Sequence, residues 1–430
     1  MFRRMPEVPI EPTARSLVEG PDPAAPHRTD GFETLTSVLK CYSEPIGRAV
    51  LRYSAAKPHA WSLFVVLVAI VIALFSRFPA YSDADAPYPG SLVSFVRTPY
   101  GHAIAWWLDH PFREVPTREF FPPASLDNLW IAGSVSHCDK LTFRAFLPLL
   151  NQVTAGGLWT LVVANHVAAI LIFLLVYRVC LRLAVDTVIS TAVTWAFAAS
   201  WAGSCGFNDF VNGDAVAMAL LLGAMVTRTS WVVAVCLFSA GFNDERALCV
   251  APLIALCRYW EWRRPFKVTG ALMDFRRLLT TVAPVLLGVS AYMVCRLAVA
   301  AEYHLTTGTS MIVIQIPVYN FYTHFPGTLF KIFEFLWVYP ALLLLALIVF
   351  RKTHVSDLVA YTFGMLMAAA PAFMVWDFDR SIYYLTPGVL ASACFGFGKP
   401  TERRVVALAV CAMSLVWLSP LESWLRLLIS

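Results

Sequence analysis

The sequence predicts an all-α, polytopic membrane protein with about eleven membrane segments, and three observations lead there. The chain of 430 residues is 58% hydrophobic and only 14% charged, whereas a soluble domain carries about a quarter charged residues. Apolar runs of helical membrane length recur from Trp61 onward. Lysine and arginine gather in short connecting loops, the distribution that sets orientation in a bilayer. The isoelectric point of about 8.7 is therefore read as a topology signal, and nucleic acid is not an expected partner.

Residues 1–60 differ in kind from the rest. Met1 to about Thr36 is rich in proline and charge, lacks the short apolar core of a secretory signal, and reads as a cytoplasmic tail. Residues 37–57 set Lys40, Arg48, Arg52 and Lys57 among apolar residues. That pattern suits a basic interfacial helix on an anionic membrane surface, or a solvated linker. Residues 61–430 then form the transmembrane domain. Its cysteines mostly lie in apolar runs, as small hydrophobes do; Cys138 and Cys205 fall in one compartment, where a disulfide is open to them.

The apolar runs give spans near 61–76, 157–177, 187–204, 215–227, 278–299, 332–350, 355–375, 383–397 and 405–420. Basic clusters at Arg178/Arg182, Arg228, Arg258–Arg277, Arg351/Lys352 and Lys399–Arg404 alternate with the other loops if the N-terminus is inside. The stretch 231–257 is flanked by basic clusters at both ends, so it enters and returns on one side. A single span would also hold Asp244, Glu245 and Arg246 at mid-membrane, at roughly 2.5–3.5 kcal/mol per charge. The hairpin arms reach only about 16–18 Å each as helix, against a hydrocarbon core of about 30 Å. Its tip, "NDERA", is expected in a protein-lined recess open to water. The C-terminus is then outside.

Every polar motif falls on the outer face. The first outer loop, 77–156, is long and aromatic enough to be partly helical. Asp83 and Asp85 follow the first span at once, either as the start of a solvated loop or as a carboxylate placed for general-base work. Lys140 and Arg144, in "DKLTFR", could form one cationic face for a phosphate or lipid headgroup, or Arg144 could pair with Asp139. The tetrapeptide "GFND" occurs twice, at Gly206–Asp209 and Gly241–Asp244. Near the first copy, Asp214 reads as an acid at a helix N-terminus; the second copy continues into Glu245 and Arg246 and reads as a site. Asp377, Asp379 and Arg380, in "WDFDR", are explained by a salt bridge or a substrate contact. Two such carboxylates can also hold a divalent metal, but no cofactor is expected.

The layout of many spans, a first-loop acid and outer-face arginines resembles the GT-C superfamily of integral-membrane glycosyltransferases, which use polyprenyl-phosphate-linked sugars. The resemblance rests on "SDAD" (Asp83, Asp85), "DKLTFR" (Lys140, Arg144), "FNDER" (Asp244, Glu245, Arg246) and "DFDRSIYYLTP" (Asp377, Asp379, Arg380), within roughly 61–420. It implies a first-loop acid as catalytic base and the other residues as substrate or phosphate contacts. The implied partners are a lipid-linked sugar donor, a lipid or glycan acceptor, and membrane lipids. A multi-span polysaccharide polymerase or ligase, or a transporter or flippase of lipid-linked substrates, would share parts of this layout.

Overall fold

A computed structural model describes residues 44–45, 47–76, 97–121, 138, 141–184, 186–208, 213–263, 275–303, 329–349, 351–374, 378–395 and 400–417. The fold is all-α, with no strand among the described residues. Five helices are long and apolar enough to cross a membrane: Pro58–Phe75, Leu158–Ala184, Leu279–Glu302, Leu329–Val349 and Val355–Phe373. They mark the chain as a helical membrane protein.

Helix α1 (Pro58–Phe75) shows why. Proline opens it, where the missing N–H costs nothing. Trp61, Val65, Ala69 and Ala73 are buried on one face, while Leu63, Leu67, Val71 and Phe75 are exposed on the other. Both faces are apolar, so the outer one needs a nonaqueous neighbour. The first long loop contributes α2 (Pro99–Asp109), a single turn at Thr117–Phe120, and α3 (Phe146–Thr154). Thr98 caps α2 by accepting from Gly101 N at 3.0 Å, and Trp107 Nε1 ties α2 to Leu141 O at 2.8 Å. Cys138 and Cys205, open to a disulfide by compartment, are both buried.

The remaining elements are α4 (Leu158–Ala184), α5 (Thr187–Ala199), α6 (Trp201–Asn208), α7 (Asp214–Val226), α8 (Ser230–Asn243), a 3-10 turn (Glu245–Val250), α9 (Ala251–Arg263) and α10 (Phe275–Glu302). After them come α11 (Val338–Val349), α12 (Arg351–Met374), α13 (Phe378–Tyr383), α14 (Thr386–Phe395) and α15 (Pro400–Val416). Two expected spans are broken. The run 187–204 divides into α5 and α6 at Ser200, whose ψ of 161° is extended, and 383–397 begins on the last residue of α13, breaks at the turn Tyr384–Leu385 and continues as α14. Helices α5 and α7, of 13 residues each, rise about 20 Å, short of a 30 Å core. Every residue from Thr386 to Cys394 is buried, as is most of α7, so these two helices form the interior. The lipid-facing residues lie instead on α10 (Leu286, Leu287, Val294) and α12 (Val355, Val359, Phe363).

Polar side chains collect at the two ends of α7. Near its C-terminus, Arg182 pairs with both carboxylate oxygens of Glu261 at 2.7 and 2.6 Å and donates to Met225 O at 3.0 Å. Arg258 donates to Thr227 O at 3.1 Å and to Thr281 O at 3.3 Å. Arg404 donates to Asp186 at 2.7 Å, while Asp186 caps α5 through Val188 N and Ile189 N. These contacts fix the path of 230–263. Helix α8 leaves this end, the chain turns at Asp244, and α9 brings Arg258 back to Thr227.

Candidate functional site

At the N-terminus of α7 the turn of this hairpin meets three other elements. Asp244 ends α8 in extended backbone, with φ of −154°. Its Oδ1 accepts from Arg246 N at 2.9 Å, capping the 3-10 turn, and from Arg246 Nε at 3.0 Å. Its Oδ2 accepts from Arg246 Nη2 at 2.5 Å and faces Arg144 Nη2 at 3.3 Å. Arg246 reaches onward to Ser381 Oγ at 2.9 Å and Asp214 Oδ1 at 3.2 Å. Arg380 donates to the other oxygen of Asp214, and the Tyr384 hydroxyl donates to Oδ1 at 3.3 Å. The Arg246 guanidinium also lies 5.5 Å from the Tyr384 ring centre, within reach of a cation–π attraction.

Local structure explains the convergence. Gly213, at φ +72°, reverses the chain just before α7, a conformation natural to glycine alone. Its carbonyl accepts from the Asn243 side chain, so the loop before α7 and the hairpin turn are fastened together. Asp214 then enters the cluster as the first residue of α7, after the N-cap Gly213. Asp214 is the acid in the first turn of α7 that the sequence predicts, and its carboxylate accepts in addition from two arginines and a tyrosine.

Of the residues singled out from sequence, Arg144, Asp244, Arg246 and Arg380 come together. Glu245 turns aside, pairing through Oε2 with Arg296 of α10; Arg296 in turn donates to Tyr292 at 2.7 Å and lies 4.1 Å from the Phe143 ring centre. Asp83, Asp85, Lys140 and Asp377 lie outside the described residues, and Asp379 lies on α13 with its side chain outside them. Sequence reasoning missed Ser381, Tyr384, Tyr292 and Arg296. Arg296 had a signal: it stands inside an apolar run, where a charge is expensive and marks a site.

Among the described side chains, three guanidiniums (Arg144, Arg246, Arg380) face two carboxylates (Asp214, Asp244). All three nitrogens of Arg246 are engaged. Arg144 differs. It is only 6% exposed, yet Nε and Nη1 have no hydrogen-bond partner among the described residues. A buried donor left unmade costs about 1–3 kcal/mol, more for a charged group, so an acceptor reaching these nitrogens would be bound favourably. The arrangement can bind an anion and neutralise charge that develops on it. Among the described residues no group of three His, Cys, Asp or Glu is placed to hold a metal. Compared with protein-family models, curated proteins and solved structures, the chain matches none of them.

Proposed function

We propose that the protein transfers a sugar from a polyprenyl-phosphate-linked donor to a lipid or glycan acceptor, on the non-cytoplasmic side of the inner or plasma membrane. The observation that carries this reading is Arg144, a buried guanidinium with two open nitrogens beside Arg246 and Arg380. A phosphate attached to a membrane lipid is the anion able to reach such a depth, and Arg matches its oxygens bidentately. Arg246 and Arg380, already held by Asp214 and Asp244, supply a fixed positive field, where charge grows on the leaving phosphate.

The multi-pass topology accompanying this reading puts the N-terminus inside, the C-terminus outside, and about eleven segments in the membrane. Its support is the gathering of Arg182, Arg258 and Arg404 at one end of α7, which the positive-inside rule assigns to the cytoplasm. A transporter is the second reading, favoured by the hairpin broken at Asp244. Against a polar path, α7 is apolar and mostly buried between its two charged ends, from Ala215 to Met225.

The test is binding of decyl phosphate to the purified protein, followed by thermal shift. Wild type should be stabilised. Arg144→Ala should lose about ten- to a hundredfold in affinity, the worth of a charge-assisted hydrogen bond. Equal binding by wild type and variant would overturn the phosphate site.

A further inference from the structure

We propose that Glu245 is the general base of the transfer reaction, taking the proton from the acceptor hydroxyl. The inference rests on the glycosyl-transfer reading and names a residue that a first-loop acid would otherwise replace.

Two consecutive pairs of residues are cross-linked here. Arg144 pairs with Asp244 at 3.3 Å, and Arg296 joins their neighbours, lying over Phe143 at 4.1 Å and pairing with Glu245. Phe143–Arg144 and Asp244–Glu245 therefore lie side by side, which brings the Glu245 carboxylate into the neighbourhood of Arg144. The carboxylates differ in what they can still do. Asp214 and Asp244 are 2% and 0% exposed in their side chains, with both oxygens of each already accepting. The Glu245 side chain is 39% exposed. Only Oε2 is engaged among the described residues, which leaves Oε1 open.

The support behind Glu245 is rigid. Tyr292 is buried and holds Arg296 from one turn away on α10, and Gly241 admits the Tyr292 ring, where a Cβ would stand 2.8 Å from Cδ2. Arg296 thus fixes the direction of the carboxylate, as a base requires.

The step balances as follows. Glu245 Oε1 accepts the hydroxyl proton, and the acceptor oxygen bonds to the anomeric carbon. The bond from that carbon to the phosphate oxygen breaks, and its electron pair leaves on polyprenyl phosphate beside Arg144. Arg296 is a positioning residue.

The experiment offers membranes carrying the protein a panel of radiolabelled polyprenyl-phosphate sugars, with Glu245→Gln, Glu245→Ala, Asp83→Ala and Asp85→Ala beside wild type. Glu245→Gln should lose 10²–10⁴-fold in turnover, the usual worth of general-base catalysis, while still being stabilised by decyl phosphate. Added formate should restore part of the turnover of Glu245→Ala, which a merely structural role would not allow. Near-wild-type turnover in Glu245→Gln, or loss confined to Asp83→Ala or Asp85→Ala, overturns the assignment and leaves the transferase reading standing. No transfer by wild type from any donor overturns the transferase reading itself, and the base with it.

Discussion

Arg246 donates to the carboxylate of Asp214 across 3.2 Å, joining residues 32 apart in sequence. The bond fastens the turn of the hairpin to the first residue of α7, and Arg380 on α13 closes on the same carboxylate. Three separately folded stretches thus depend on one buried acid.

The first prediction follows from that dependence. Asp214→Asn keeps the shape of the side chain and leaves two buried guanidiniums short of one negative charge. Breaking a buried pair costs about 3–5 kcal/mol, whereas loss of a helix cap costs about 1 kcal/mol. Denaturant unfolding in detergent should show the larger figure. A loss near 1 kcal/mol would return Asp214 to the role of a cap.

How much of this was legible in the sequence depended on the range of the signal. The hairpin could be read because the charges "NDER" and the flanking arginines sit within one stretch, and their cost in lipid is local arithmetic. Arg144, Arg246 and Arg380 stood out as cations beside apolar runs. Asp214 did not, because an acid at a helix start has a sufficient local explanation and its partners lie 32 and 166 residues away. Ser381 and Tyr384 look like ordinary interface residues until α13 is seen to break from α14. Composition could not show that break, since Tyr383 to Phe395 reads as one apolar run.

At the opposite end, Arg182 locks α4 to α7 and α9. It grips Glu261 through two nitrogens and also donates to Met225 O. Lysine keeps the charge but not the fork. Arg182→Lys should therefore lose about 1.5–3 kcal/mol, the worth of one charged hydrogen bond, and Arg182→Ala about 3–5 kcal/mol. Equal stability of Lys and wild type, measured by the same unfolding, would mean the fork contributes nothing.

Two glycines should respond to alanine with opposite signs. At Gly288 on α10, a Cβ would stand 2.6 Å from Ala234 O, a backbone atom of α8. The helices must part, which costs typically 1–3 kcal/mol. At Gly223 on α7 the nearest atom is Cys236 Sγ at 3.6 Å, an ordinary contact. Removing a mid-helix glycine there should stabilise by roughly 0.5–1 kcal/mol. Thermal unfolding of Gly288→Ala and Gly223→Ala, side by side, checks both; a shift in the same direction would show that the α8–α10 approach is looser than the geometry states.

Sidedness decides which chemistry is within reach. Gln152 on α3 and Thr229 before α8 are both exposed, and they stand at opposite ends of α7: Leu147 of α3 touches the Gly213 end, while Thr229 lies just past Thr227, the C-cap of α7. The Thr229 N–H donates to the Thr227 hydroxyl at 3.2 Å. Single cysteines at positions 152 and 229 can be probed in intact cells with a membrane-impermeant maleimide, against the labelling of the parent. If the basic end is cytoplasmic, Gln152→Cys reacts at once and Thr229→Cys reacts only after permeabilisation. The reverse pattern would set Arg144, Arg246 and Arg380 facing the cytoplasm. Nucleotide-linked sugars would then become accessible donors, and a lipid-borne phosphate would lose its special claim on the open nitrogens of Arg144.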